Sequence, residues 1–266
     1  MPSAGRLRYL ERSADPSVRP RGTLLLIHAF PLNARMFEAQ LTLAATGWRV
    51  VAPHLRGFGG GAGDSPATSV DDHAGDVIDL LDTLHIDEAV IGGVSMGGYI
   101  AFAILRHAPR YFQGLILSDT KSQADTLDGI EGRKKMLRLV EEKGAPGVAE
   151  DMIPKLLGET TRRSRPAVVE EVRSLILANS ADGISGAVRA LMTRPDSAPL
   201  LPTIHCPTLI LVGEEDGITP PPLAEEMQRG IAGSQLAVFP AAGHLPNLET
   251  PETFNATVAE FLSHRV

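Results

Sequence analysis

The chain has 266 residues, 43% of them hydrophobic and 21% charged, enough apolar matter for one buried core plus a small inserted subdomain and too much for a disordered or fibrous protein. Its net charge of -7 supplies no basic face for phosphates, which argues against nucleic acid or an anionic membrane as principal partner and favours a small neutral or mildly polar molecule. The lone cysteine, Cys206, forbids an intrachain disulfide, leaves neighbouring His205 without the thiolates of a zinc site, and is expected to be buried filler.

From the N-terminus onward, residues 1–10 lack the long apolar core of a secretory leader, and no apolar run approaches the roughly 18 residues that cross a bilayer, so a soluble cytoplasmic protein is expected. Short Val-, Ile- and Leu-rich runs at 24–28, 48–52, 89–93, 115–118, 208–212 and 236–239 are bounded by glycine or proline and predict strands buried on both faces. Between them the spacing becomes helical. Ser69 can cap a helix to residue 84 whose Val70, Ala74, Val77, Ile78, Leu81 and Leu84 share a face, and 96–107 and 251–264 also read as helices, the last with Pro251 in its first turn. Alternating strand and helix predicts an α/β fold, a mostly parallel, doubly wound sheet. The alternation stops at 121–194, where helices are predicted near 129–142, 147–157, 166–178 and 183–192. The expected organisation is therefore a core of 1–120 and 195–266 with 121–194 as a helical lid over the carboxyl edge of the sheet, where such folds bind ligands.

Gly93-Val94-Ser95-Met96-Gly97 matches G-x-S-x-G at the junction of a predicted strand and a predicted helix. A serine presented there sits on a sharp turn whose neighbours must lack side chains, and Gly93 and Gly97 meet that need. Serine becomes a useful nucleophile only when a base takes its proton and a carboxylate orients the base. Asp216, in the loop after strand 208–212, and His244, after strand 236–239, are the candidates, with Asp119 at the end of strand 115–118 as the competing acid. Four other histidines, His73, His85, His107 and His264, fall on or beside helices and read as surface residues.

His28-Ala29-Phe30-Pro31 resembles the H-G-x-P segment of α/β-hydrolase esterases and lactonases, with Ala29 in place of the usual glycine. The resemblance spans nearly the whole chain. Arg56-Gly57-Phe58-Gly59 is similar to the family's R-G-x-G turn, although His54 stands where an aspartate is usual and would forfeit any ion pair made from that position. Gly243-His244-Leu245-Pro246-Asn247-Leu248-Glu249 followed by Pro251 resembles its histidine loop and final helix, and Leu117-Ser118-Asp119-Thr120 together with Ala124 to Arg133 is similar to the lid entrance of 3-oxoadipate enol-lactonases. The resemblance implies a serine esterase or lactonase acting on small-molecule esters or lactones. Its catalytic residues would be Ser95, Asp216 and His244 in the family's chain order, with the backbone amides of Phe30 and Met96 as oxyanion hole and neither cofactor nor metal. Enol-lactonase, perhydrolase and carbon-carbon bond hydrolase chemistry would use the same three residues.

Two rival classes stand beside this reading. Gly57 to Ala62 satisfies G-x-G-x-x-A, but no helix opens on its last glycines and Pro66 interrupts, so a dinucleotide site lacks its context. A hydrolase fold serving only as a receptor would need no such triad. Hydrolytic dehalogenation would require aspartate where Ser95 stands.

Overall fold

Each apolar run predicted as a strand becomes one, to within three residues at either end. In this computed structural model, which describes residues 2–59, 66–264 and 266, the strands are β1 (Ser3–Ala4), β2 (Leu7–Arg12), β3 (Gly22–Ile27), β4 (Trp48–Pro53), β5 (Ala89–Val94), β6 (Phe112–Ser118), β7 (Thr208–Gly213) and β8 (Gln235–Phe239). They form one sheet in the order β1-β2-β4-β3-β5-β6-β7-β8. The pairings from β4 through β8 are parallel, while β1 and β2 are antiparallel additions at one end. Every residue of β5 and β7 is buried, as strands covered by helices on both faces must be. β8 departs from the expectation of double burial, with Val238 46% exposed, because it is the outermost strand and only one side of it has a partner.

The helices are α1 (Val70–Thr83), α2 (Met96–His107), α3 (Leu127–Leu156), α4 (Glu159–Ser164), α5 (Pro166–Leu177), α6 (Ala181–Thr193), α7 (Pro221–Gly230), α8 (Pro246–Glu249) and α9 (Pro251–His264). Ser69 caps α1 as predicted, its hydroxyl accepting from the Asp72 amide while the Asp72 carboxylate accepts from the Ser69 amide. Between β6 and β7 the chain leaves the sheet for four consecutive helices, α3 to α6, with α3 packed on α5 and α6. The helices expected at 129–142 and 147–157 are two arms of α3, divided at Gly144, whose φ of 59° no helix accommodates. Among the described residues no helix is long and apolar enough to cross a membrane.

Several expectations need correction. His73 is fully buried, since it lies on the same inward stripe of α1 as Val70, Ala74 and Val77, whereas His85, His107 and His264 are exposed as predicted. Cys206 is only half-buried, on the loop entering β7. The β1–β2 hairpin, α4 and α7 are additions to the expected elements, although the inward Leu7 and Tyr9 of β2 carry the alternation of a one-sided strand. In the glycine-dense run, Gly60 to Gly63 lie outside the described residues, so the dinucleotide-like motif is only partly visible. Pro66, just beyond them, leads by an irregular stretch to the Ser69 cap.

Candidate active site

β5 runs between β3 and β6, with Gly93 opposite Ile27 on one side and Val94 opposite Ser118 on the other, and delivers Ser95 to the carboxyl edge of the sheet. Ser95 has φ 54° and ψ -112°, a backbone conformation few non-glycine residues adopt. It is held there by its own amide, which donates to the Ser118 carbonyl at 2.8 Å, and by the Thr120 hydroxyl, which donates to the Ser95 carbonyl at 2.9 Å. The two flanking glycines do what their positions require. A Cβ on Gly93 would lie 2.2 Å from the Gly97 carbonyl carbon, and one on Gly97 would lie 2.1 Å from the Ile27 oxygen. Turn and strand meet backbone to backbone.

The structure brings all three predicted side chains together. His244 Nε2 lies 2.8 Å from Ser95 Oγ, and its Nδ1 lies 2.8 Å from Asp216 Oδ2. With the carboxylate accepting at Nδ1, the ring proton belongs on that nitrogen and the lone pair of Nε2 faces the serine hydroxyl. Asp216 is itself fixed: its Oδ1 accepts from the amides of Ile218 and Thr219 and its Oδ2 from the Thr219 hydroxyl. Burial alone would raise the Asp216 carboxyl, but the His244 charge and these hydrogen bonds bring it down to about 2. All three residues are buried, Ser95 the least so at 8% exposure.

Phe30 and Met96, the expected oxyanion donors, occupy the exit of β3 and the first position of α2. The close approach of Gly97 to Ile27 and His28 sets those two segments side by side. Asp119 lies deeper than Asp216. Its Oδ1 accepts from the Gly213 amide at 2.8 Å, its Oδ2 is 2.6 Å from the Ser118 hydroxyl, and Asp216, not Asp119, bonds the imidazole.

Glu249, in the sequence merely one member of the histidine loop, organises that loop. Its carboxylate, fully buried, accepts from the amides of Gly243 and Leu245, on either side of His244, and from Gly158 at the junction of α3 and α4. The His244 amide in turn donates to the Leu156 carbonyl at 3.0 Å. A glutamate just ahead of a helix-starting proline, in a loop otherwise lacking charge, is the signal that could have found it. At the other side of the insertion, Asn179 donates to the Pro31 carbonyl and accepts from the Gly59 amide, tying the α5–α6 junction to the loop that holds Phe30.

The R-G-x-G turn keeps an ion pair despite His54. Arg56 makes two contacts with Asp76 on α1, 2.6 and 2.8 Å long, while the His54 ring packs against Gly59, where a Cβ would fall 1.9 Å from Nδ1.

Comparison with known proteins agrees with this architecture. A family model described as alpha/beta hydrolase fold matches residues 22–251. The chain is 31% identical to the AB hydrolase superfamily protein YisY of Bacillus subtilis over 245 residues, 90% of each protein. It is 26% identical to 3-oxoadipate enol-lactonase 2 of Acinetobacter baylyi over 238 residues, 90% of this chain and 87% of that one. Among solved structures, a thermophilic esterase from Thermogutta terrifontis superposes with a TM-score of 0.90 at 38% identity, covering 97% of this chain and 93% of the other. Motif, sheet order, hydrogen-bonded side chains and these likenesses lead to one statement: the chain belongs to the α/β hydrolase fold family.

Proposed function

We propose that the protein is a serine hydrolase of small-molecule carboxylic esters or lactones, in which Ser95, His244 and Asp216 form the catalytic triad. One observation carries the reading: an unbroken hydrogen-bond chain from Ser95 Oγ through both ring nitrogens of His244 to Asp216, each link 2.8 Å long, in a water-poor setting. The likeness to an esterase at 38% identity and to an enol-lactonase points to the same reaction class, and the esterase is the nearer relative of the two.

In the reaction, Ser95 Oγ attacks the substrate carbonyl carbon as His244 Nε2 takes the hydroxyl proton. Asp216 stabilises the resulting imidazolium, and the backbone amides of Phe30 and Met96 donate to the oxyanion, each such donor being worth roughly 3 to 4 kcal/mol of barrier. Collapse of the tetrahedral intermediate breaks the acyl carbon-oxygen bond and His244 returns the proton to the leaving alkoxide. Water, deprotonated by the same nitrogen, then releases the acid and frees Ser95. Residues 121–194 act as the lid, and 1–120 with 195–266 as the core.

The test is turnover of p-nitrophenyl esters of increasing chain length alongside simple lactones, with Ser95→Ala as control. The variant should lose several orders of magnitude in kcat and fail to react with a fluorophosphonate probe. Turnover near that of the parent protein in Ser95→Ala would overturn the proposal.

A further inference from the structure

Glu215, immediately before Asp216, reaches two other segments at once. Its amide donates to the Ala242 carbonyl at 2.8 Å, two residues ahead of His244. Its carboxylate closes on the insertion: Oε2 accepts from the Thr160 amide at 2.9 Å and Oε1 from the Thr160 hydroxyl, in the first turn of α4. The Thr160 hydroxyl first, and its amide second, hold the Glu215 carboxyl below its usual range. The same turn receives Glu249, whose carboxylate accepts from Gly158 as well as from the two amides flanking His244. No side chain fits between these segments. A Cβ on Gly158 would lie 2.5 Å from Glu215 Oε2 and 2.9 Å from the Gly243 nitrogen, and one on Gly213 would lie 1.9 Å from the Gly243 oxygen. Gly213, Gly243 and Gly158, from β7, the histidine loop and the insertion, thus meet backbone on backbone.

We propose that Glu215 is a positioning residue, which holds the Asp216 loop and the His244 loop at their working separation by anchoring the first of them to the turn at residues 158–160. The inference rests on the serine hydrolase reading above. The bonds from Ile218 and Thr219 to the Asp216 carboxylate lie within its own loop and shape that loop more than they place it. Placement comes from the residues just before. The amides of Glu214 and Glu215 donate to Phe239 and Ala242, on β8 and the segment after it, and the Glu215 carboxylate adds a tie to a different segment. Attachment to two segments resists a pivot that attachment to one allows. A pivot that lengthens the contact between Asp216 Oδ2 and His244 Nδ1 weakens the stabilisation of the imidazolium. That cation forms only as Ser95 attacks, so the cost falls on kcat and not on KM.

Geometry, not charge, is what the role requires. Glutamine offers a carbonyl oxygen to the Thr160 amide and an NH₂ group to the Thr160 oxygen, so Glu215→Gln keeps both contacts and should stay within about threefold of the parent kcat. Glu215→Ala loses both, and its kcat should fall by about tenfold with KM within about twofold. Thr160→Val loses the hydroxyl but keeps the amide. Its kcat should lie between those two, and the substitution should have no further effect once residue 215 is alanine, as expected of partners in one contact. A purely structural role would lower the melting temperature and leave kcat per folded molecule unchanged.

The experiment is steady-state kinetics on one p-nitrophenyl ester for the parent, the three variants and Thr160→Val combined with Glu215→Ala, each checked for a cooperative thermal melt. If Glu215→Ala does not fold, Glu215→Ser makes the same comparison. A kcat for Glu215→Ala within about threefold of the parent, a loss confined to KM, or Glu215→Gln as slow as Glu215→Ala overturns the role. Proton NMR supplies a second reading. The Nδ1 proton of His244, far downfield when a carboxylate accepts it, should shift in Glu215→Ala and stay in place in Glu215→Gln; an unmoved resonance in Glu215→Ala also overturns the role. That signal needs no turnover, so it is read apart from failure of the hydrolase reading, which shows as turnover surviving Ser95→Ala.

Discussion

Acidification from pH 7.5 to 5 should remove a large part of this protein's folding stability, well before any of its carboxylates in the proposed triad are touched. Three histidines are held neutral in the interior. Burial, helped by the charges of Arg8 and Arg35, lowers His54 to about 4, and burial with Arg56 lowers His73 to about 4. Burial lowers His28 to about 3, its Nε2 accepting from the Leu55 amide at 3.1 Å. Neither ring nitrogen of His54 or His73 has a hydrogen-bond partner among the described residues. Above pH 6.5 the rings are neutral in both states and nothing is lost. Between 6.5 and the folded values the unfolded chain takes up protons that the folded one refuses, so stability falls with pH at roughly 1.4 kcal/mol per unit for each ring. By pH 5 each has given up about 2 kcal/mol and the three together about 6, against a total stability of about 5 to 15 kcal/mol for an ordinary domain. Asp119, held well above the usual carboxylate range by burial first and the Asp216 charge second, pulls the other way and offsets up to about one ring's share, and Asp216, at about 2, contributes fully until the pH drops below its unfolded range. Urea unfolding followed by circular dichroism at pH 7.5, 6.5, 5.5 and 5 would give the slope, and His73→Gln should reduce it by about a third to a half. Constant stability across that range, or an unaltered slope in the variant, would refute the reasoning.

Other expectations rest on single contacts. Glu249→Gln presents an NH₂ group to backbone amides that now meet a carboxylate, so kcat should fall by at least about tenfold with KM little altered, and the melting temperature should drop by an amount equivalent to about 2 to 4 kcal/mol. Steady-state kinetics and calorimetry on one sample check both halves. Gly97→Ala places a methyl 2.1 Å from the Ile27 oxygen, so the variant should be largely insoluble on expression or fold without reacting with a fluorophosphonate, as read by gel labelling. Arg194 is buried 2.8 Å from Asp125 and 4.2 Å from the Tyr99 ring centre. Arg194→Met leaves the buried Asp125 carboxylate to Arg133, and should cost about 3 kcal/mol in urea unfolding while turnover per folded molecule stays within about threefold.

The sheet is legible in the sequence because its central strands are buried on both sides, which leaves short uninterrupted apolar runs; the buried helix α2 carries a similar run at 99–105, so it is the bounding glycines and prolines and the alternation of elements that separate the two. The nucleophile turn is legible for a related reason: glycines at 93 and 97 are imposed by backbone contacts only ångströms away, so the motif is the fold's own constraint written out. His73 is legible only by spacing: it lies three residues after Val70 and four before Val77, and that placement outweighs the surface preference of its residue type. The choice between Asp119 and Asp216 is hidden. Both end strands, and what separates them is the one-strand displacement between β6 and β7, a property of sheet order rather than of either neighbourhood. Glu249 shows the same limit from another side, since one of its three amides belongs to Gly158, 91 residues away.

The α3–α6 insertion is stitched down unevenly, and that has a bearing on which part of it can open. Leu156 and Gly158 are pinned to the histidine loop, and Asn179 to the loops at Pro31 and Gly59, so raising either place would dismantle the chemistry it serves. The first arm of α3, before the break at Gly144, buries only Met136 and Val140, and Leu127 at its start is 83% exposed. Compared with α5 and α6, that arm has least to lose by opening locally, so its amides should exchange with deuterated solvent soonest, with Gly144 marking where the fast-exchanging stretch stops.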